Sequence, residues 1–243
     1  GRRGSLRVEM LAAARRQGRV AYVLEPALPA VQAELASRVP VLVLQDLGAF
    51  GIRRWHFAVV VGGGNEGDPL VLRSGTRRRH VTSREDFLRS WRPGGNWAAV
   101  IVAPGAPPVS ATGGGWIRAL ADAAPYLPPG ELAAGHRAAL TRWPDDPLVL
   151  FAAGNEAYDR GQLDEALTLY RRLVAAEPGN AAARNNLASV LLDAGCPDAA
   201  VREAGRALAG LDPGSPFQAA VQDTLTRARA VAGAGGPSAC AAE

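Results

Sequence analysis

The chain has 243 residues, 48% of them hydrophobic, and a formal net charge of +4. That length allows one or two domains with a buried core, and no run of ~18 apolar residues marks a membrane span. Two cysteines, Cys196 and Cys240, are too few for a disulfide framework or a zinc site, so neither a metal nor a cofactor is expected.

The charge is divided unevenly. All 27 basic residues are arginine; residues 1–104 hold 16 of them against 8 acids, and residues 105–243 hold 11 against 15. A change of sign between halves argues for two modules. No stretch interleaves basic residues with aromatics on one face. Arg77-Arg78-Arg79 reads as a short solvated turn, so no nucleic-acid partner is expected.

Taken in order, the first module alternates helices and strands. Ser5 is placed to cap a helix reaching about Gln17, with Gly18 as its stop. "VAYVL" (20–24) reads as a strand, and Pro29 opens a helix to about Ser37. "PVLVLQDL" (40–47) is a near-continuous apolar run, the mark of a strand buried on both faces. "WHFAVVVG" (55–62) and "LVLRSG" (70–75), separated by the turn-rich "GGGNEGDP", read as a hairpin. Ser83 can cap a short helix, with Asp86 three residues on and Phe87 and Trp91 at i,i+4. "NWAAVIVAP" (96–104) is a closing strand. The expected order is α β α β β β α β over 1–104, and "PGAPPVSATGGG" reads as a linker over 105–115.

The second module repeats. Gly154, Gly161, Ala166 and Tyr170 recur 34 residues later as Ala188, Gly195, Ala200 and Ala204. Small residues at a constant spacing are what crossing helix pairs require. The copy "AAGNEAYDRGQLDEALTLYRRLVAAEP" resembles the tetratricopeptide consensus, and residues 116–144 read as a degenerate earlier repeat. The expected module is an all-α solenoid over 116–232 with a terminal capping helix, followed by a disordered tail over 233–243. The resemblance implies a groove for a protein partner, with Asn155, Tyr158, Asn185 and Ser189 projecting into it from first helices. The competing reading of those four is helix packing.

Gly62, Gly64 and Gly67 match a dinucleotide fingerprint as a string, but a strand follows them instead of a helix, so the match is accidental. His56 is different. It opens an apolar strand, and a general base must sit on a rigid element facing a cleft. A second polar group must fix its tautomer, and the end of the partner strand is placed to supply one. The segments "GSLRVEMLAAARR", "PVLVLQDLG", "RWHFAVVVGG", "LVLRSGT" and "FLRSW…NWAAVIVAP", in that order before the repeats, resemble papain-like bacterial cysteine peptidases related to the bacteriocin-processing, double-glycine peptidases.

That resemblance implies an α+β papain-like domain, incomplete at its N-terminus, with His56 as the catalytic histidine and a peptide or protein as substrate. It also implies export, periplasmic or lipid-anchored, for a full-length protein. Two features depart from it. No cysteine occurs in 1–104, so the nucleophile and its oxyanion glutamine are expected before Gly1. Ser74 stands where related peptidases carry Asp, and a hydroxyl can orient an imidazole but brings no charge. Asp46 is a second candidate to orient His56; Asp68, at the far end of the hairpin, is not. Cys196, in "DAGCPDAA", reads as a surface or half-buried thiol rather than a nucleophile. The alternative is a non-catalytic interaction protein whose peptidase-like domain is a relic. A serine hydrolase is disfavoured, since no Gly-x-Ser-x-Gly elbow is present.

Overall fold

The structure is a computed structural model that describes residues 7–48, 52–63 and 68–234. The chain divides into two compact units, Gly1–Gly135 and His136–Glu243.

In the first unit the order is α1 (Arg7–Arg16), β1 (Val20–Val23), α2 (Leu28–Ala36), β2 (Val41–Asp46), β3 (Trp55–Gly62), β4 (Leu70–Ser74), β5 (Arg77–Thr82), α3 (Arg84–Trp91), β6 (Ala98–Val102) and α4 (Gly113–Ala123). The six strands form one antiparallel sheet in the order β1-β6-β2-β3-β4-β5. An α+β unit with a single antiparallel sheet is therefore present. The hairpin β3–β4 lies as expected, while its turn residues 64–67 fall outside the described set, as do Ser5 and the loop residues 49–51.

β5 was not expected. "RRRHVT" carries no apolar period because it is an edge strand, paired only with β4. The basic turn assigned to Arg77–Arg79 is thus a strand. The true turn is Gly75-Thr76, where Gly75 takes a φ of +57°, the positive value that the first central residue of a two-residue hairpin loop needs.

Both faces of the sheet are covered by side chains that alternate. On one, Val41, Val43, Ala58, Val60, Leu70 and Leu72 are buried. Ser83 caps α3 by accepting from the Asp86 N–H at 3.1 Å, and Phe87 and Trp91 turn inward with ring centroids 5.3 Å apart. On the other face Leu42, Leu44, Trp97 and Ala99 form a cluster against which Met10 and Leu11 of α1 pack.

The segment expected as a linker is tied down. Glu34, fully buried on α2, accepts from the Ser110 N–H at 2.8 Å and from Ser110 Oγ at 2.6 Å. The Tyr22 hydroxyl accepts from the Thr112 N–H at 3.3 Å, and the Tyr22 ring lies 6.5 Å from Trp116 of α4. Helix α4 therefore packs against β1 in the first unit.

The second unit is helical: α6 (Pro147–Asp159), α7 (Leu163–Ala176), α8 (Ala181–Asp193), α9 (Pro197–Ala209) and α10 (Gln218–Gly233), with α5 (Pro129–Arg142) crossing the boundary between units. The starts of α6 and α8, and those of α7 and α9, are 34 residues apart. Asp146 and Asn180 cap α6 and α8. Gly161 and Gly195 hold φ of +71° and +76° in the two inter-helix turns. Ala166, Tyr170, Ala188, Ala200 and Ala204 are all fully buried at the crossings.

A Cβ on Gly154 would stand 3.0 Å from the Tyr170 ring. Substituting Gly154→Val should therefore destabilise the protein by about 1–3 kcal/mol through overpacking, read as a lower urea midpoint with an unchanged slope. Substituting Gly179→Ala, where an added Cβ meets nothing within 4 Å, is the control.

Candidate functional site

The register of the sheet builds a cleft at one end of the first unit. Gln45 lies opposite His56, Val43 opposite Ala58, Ala58 opposite Ser74, and Leu72 opposite His80. Directly opposed residues share a face. The face that buries Val43, Ala58 and Leu72 therefore turns polar at its end, where Gln45, His56, Ser74, His80 and Thr82 meet. α3 adds Asp86 and Ser90 along one wall, and the space enclosed is about 520 Å³.

His56 Nε2 and Ser74 Oγ are 2.9 Å apart. The two residues singled out in the sequence are thus brought together across β3 and β4. Burial, and then the nearby Arg54 guanidinium, push the His56 pKa below the usual imidazole value. The ring is therefore neutral at pH 7 and able to accept a proton. Gly75 sits against it: a Cβ there would be 4.0 Å from His56 Cε1.

Asp46 does not orient His56. It opposes Trp55, so alternation turns it to the other face. Its Oδ1 accepts from the Arg54 N–H at 2.8 Å and the Gly48 N–H at 2.9 Å, and those two bonds hold its carboxyl below the usual range. Its role is to close the loop between β2 and β3.

Gln45, Arg54, Arg77, His80 and Ser90 line the cleft but were not singled out in the sequence as site residues. Gln45, hidden inside an apolar run, donates from Nε2 to Ser90 Oγ at 2.7 Å. Arg77 and His80 belong to the unexpected edge strand. Their spacing of three would place them on opposite faces, but a bulge between the Leu72 and Ser74 pairings brings both to the cleft. The only sequence sign was a two-residue Gly-Thr turn between two runs of strand length.

In the second unit the four residues assigned to a groove are largely engaged within the fold. Asn155 Oδ1 accepts from the Tyr170 hydroxyl and from Asn186 Nδ2, the latter at 2.9 Å. The Tyr158 hydroxyl donates to Asp193 at 2.5 Å; burial, then that carboxylate, push its pKa up to about 12. Ser189 Oγ donates to the Asn185 carbonyl at 3.2 Å. Asn185 Oδ1 is buried with no hydrogen-bond partner. Asn186, which the sequence reading passed over, links α8 to both Asn155 and Tyr170. Cys196 departs from the exposed or half-buried thiol expected of it: it is 2% exposed and disulfide-bonded. Cys240 lies outside the described residues.

Among the described residues no group of three or more His, Cys, Asp and Glu could hold a metal ion, and no helix is long and apolar enough to cross a membrane.

The helical unit defines the class. A 34-residue period, crossing helix pairs and glycines in both turns are the features of a repeat solenoid. Residues 151–216 match the tetratricopeptide repeat family model. Over 47 residues, 19% of the chain, the sequence is 47% identical to an inactive TPR repeat-containing thioredoxin of Arabidopsis thaliana, of which it spans 7%. A solved O-GlcNAc transferase mutant of Thermobaculum terrenum is similar at 27% identity and a TM-score of 0.40, over 50% of this chain and 23% of that one. The chain thus carries tetratricopeptide repeats and spans only a small part of the length of these proteins.

Two outcomes check the site. His56 is depressed in the folded state, so protonation favours the unfolded chain. Stability should be fully present above the unfolded pKa of about 6.5 and be lost as pH falls through the lower folded value. His56→Gln should flatten that part of a urea-midpoint profile. In the second unit, Tyr170→Phe leaves Asn155 and Asn186 short of a partner and should cost about 1–3 kcal/mol, read from thermal or urea unfolding.

Proposed function

We propose that the protein is a non-catalytic interaction protein whose tetratricopeptide repeats bind a protein partner. The observation that carries this is the pair of complete helix repeats over 151–216. Stacked helix pairs present a continuous surface that a peptide can occupy. Asn155 and Tyr158 are tied to other helices by side-chain hydrogen bonds, whereas Ser189 bonds only within its own helix and Asn185 Oδ1 has no partner, so Asn185 and Ser189 are the better candidates for contacting a peptide backbone. In this reading the first unit is a peptidase-like relic. Residues 1–195 contain no cysteine, and Cys196 is buried in a disulfide.

A second reading, a papain-like cysteine peptidase in a longer protein, has one observation in its favour. A neutral histidine at the mouth of a strand, hydrogen-bonded to a side chain 18 residues on and facing a cleft, is the arrangement a general base needs. The cysteine would pass its proton to His56 and attack the peptide carbonyl as thiolate; the imidazolium would return that proton to the amine as the C–N bond breaks, and water would then release the acyl-enzyme. This chain does not supply that nucleophile.

Peptides selected from a displayed library against the whole chain should bind the Asn185→Ala, Ser189→Ala double variant about tenfold more weakly. The variant should keep its melting temperature, because Asn185→Ala removes an orphaned polar atom. Equal binding to both would sink the groove reading. A fluorogenic peptide ending in Gly-Gly should not be turned over. Turnover by a longer protein that supplies the cysteine, abolished by His56→Ala, would instead support the peptidase.

A further inference from the structure

We propose that the cleft at the polar end of the first unit's sheet is a carboxylate site that takes the C-terminal end of an extended peptide lying beside β5. The argument begins with charge. Arg54 and Arg77 line the cleft, and neither forms an ion pair among the described residues. The one acid on its wall is Asp86, which already accepts from Ser83 Oγ at 2.8 Å and pairs with Arg89 at 2.9 Å. With Asp86 already paired to Arg89, the two arginines leave the cleft cationic and suited to an anion. A peptide carboxylate is the anion that can also use the open strand edge beside the cleft.

Geometry supports the same occupant. The bulge in β5 sets Arg77 and His80 on the side of His56 and Ser74, so donors from β3, β4 and β5 converge. A guanidinium pairs with a carboxylate through two parallel N–H···O bonds. The volume of about 520 Å³ falls within the range of sites for small ligands. Beside the cleft, β5 pairs with β4 alone, and Arg78, Arg79 and Val81 are exposed along it. An open edge can add the backbone of one more strand. Its arginines also discourage pairing with another bare edge, but a guard needs no converging cleft at its end.

His56 reports occupancy. It faces Gln45 on β2, Arg54 in the loop just before its own strand, Ser74 on β4, Arg77 and His80 on β5, and Asp86 on α3. A bound carboxylate favours the imidazolium and opposes the burial and Arg54 that now depress it.

The experiment is a histidine Cε1–H NMR titration of the whole chain with acetyl-tetraalanine bearing a free carboxylate, with the same peptide amidated, and with inorganic phosphate. The chain has three histidines, so the His56 signal is assigned by loss in His56→Gln. The acid should move that signal and raise its titration midpoint, with the amide at least about tenfold weaker. The Arg54→Gln, Arg77→Gln double variant, checked for an unchanged melting temperature, should lose the response. Equal effects of acid and amide would overturn the proposal. So would a stronger response to phosphate than to the acid, full binding by the folded double variant, or no shift of His56 up to about 10 mM peptide.

Discussion

A one-residue slip of β3 against β2 would turn Ala58 and Val60 away from the side where they are buried. It would carry His56 out of the cleft with them. The apolar residues therefore set the register, and the register sets the site. Val41, Val43, Ala58, Val60 and Leu72 are each at most 2% exposed, so every one resists the slip. The polar pair His56 and Ser74, 2.9 Å apart, is positioned by neighbours that share none of its chemistry.

The second unit obeys a different constraint. Helices in its two pairs cross where side chains are small, and the period of those positions is the period of the repeat. Gly154 faces the bulk of Tyr170, whereas both equivalent positions of the next repeat are alanine. The larger ring brings a hydroxyl into the interior, where Asn155 and Asn186 satisfy it. Burial holds that phenol at a pKa of about 12, so it stays a neutral donor across the working range. Polar residues that a repeat could offer to a ligand are here spent on joining its own helices.

Electrostatics separate the units as well. Three acids of the first unit are engaged within it: Asp46 closes a loop, Glu34 holds Ser110, and Asp86 serves the α3 cap and Arg89. Arg54 and Arg77 are left facing the cleft without a counter-charge of their own. A neutral His56 between them is the expected state, since burial and a nearby cation both oppose its protonation.

The sequence by itself determined the two consecutive repeats of the second unit. Helix starts 34 residues apart, both turn glycines and the small crossing positions were legible, because a helix is specified by local spacing and each repeat restates the rule. It also determined the five apolar strands, whose burial writes a pattern, and it offered Ser74 and Asp46 as partners for His56, between which only the strand register chose. Only the tertiary structure decided the rest. β5 is an edge strand and needs no apolar period, so Arg77-Arg78-Arg79 carried no strand signal. The bulge that gathers Arg77 and His80 depends on how β5 pairs with β4. The anchoring of 105–115 depends on Glu34 and Tyr22, which are 76 and 90 residues distant from their partners. The internal use of Asn155 and Tyr158 depends on which helices touch. The anchoring of 105–115 and the cross-helix bonds of Asn155 and Tyr158 join residues farther apart than local spacing can record, and the edge strand with its bulge is near in the chain but leaves no apolar pattern.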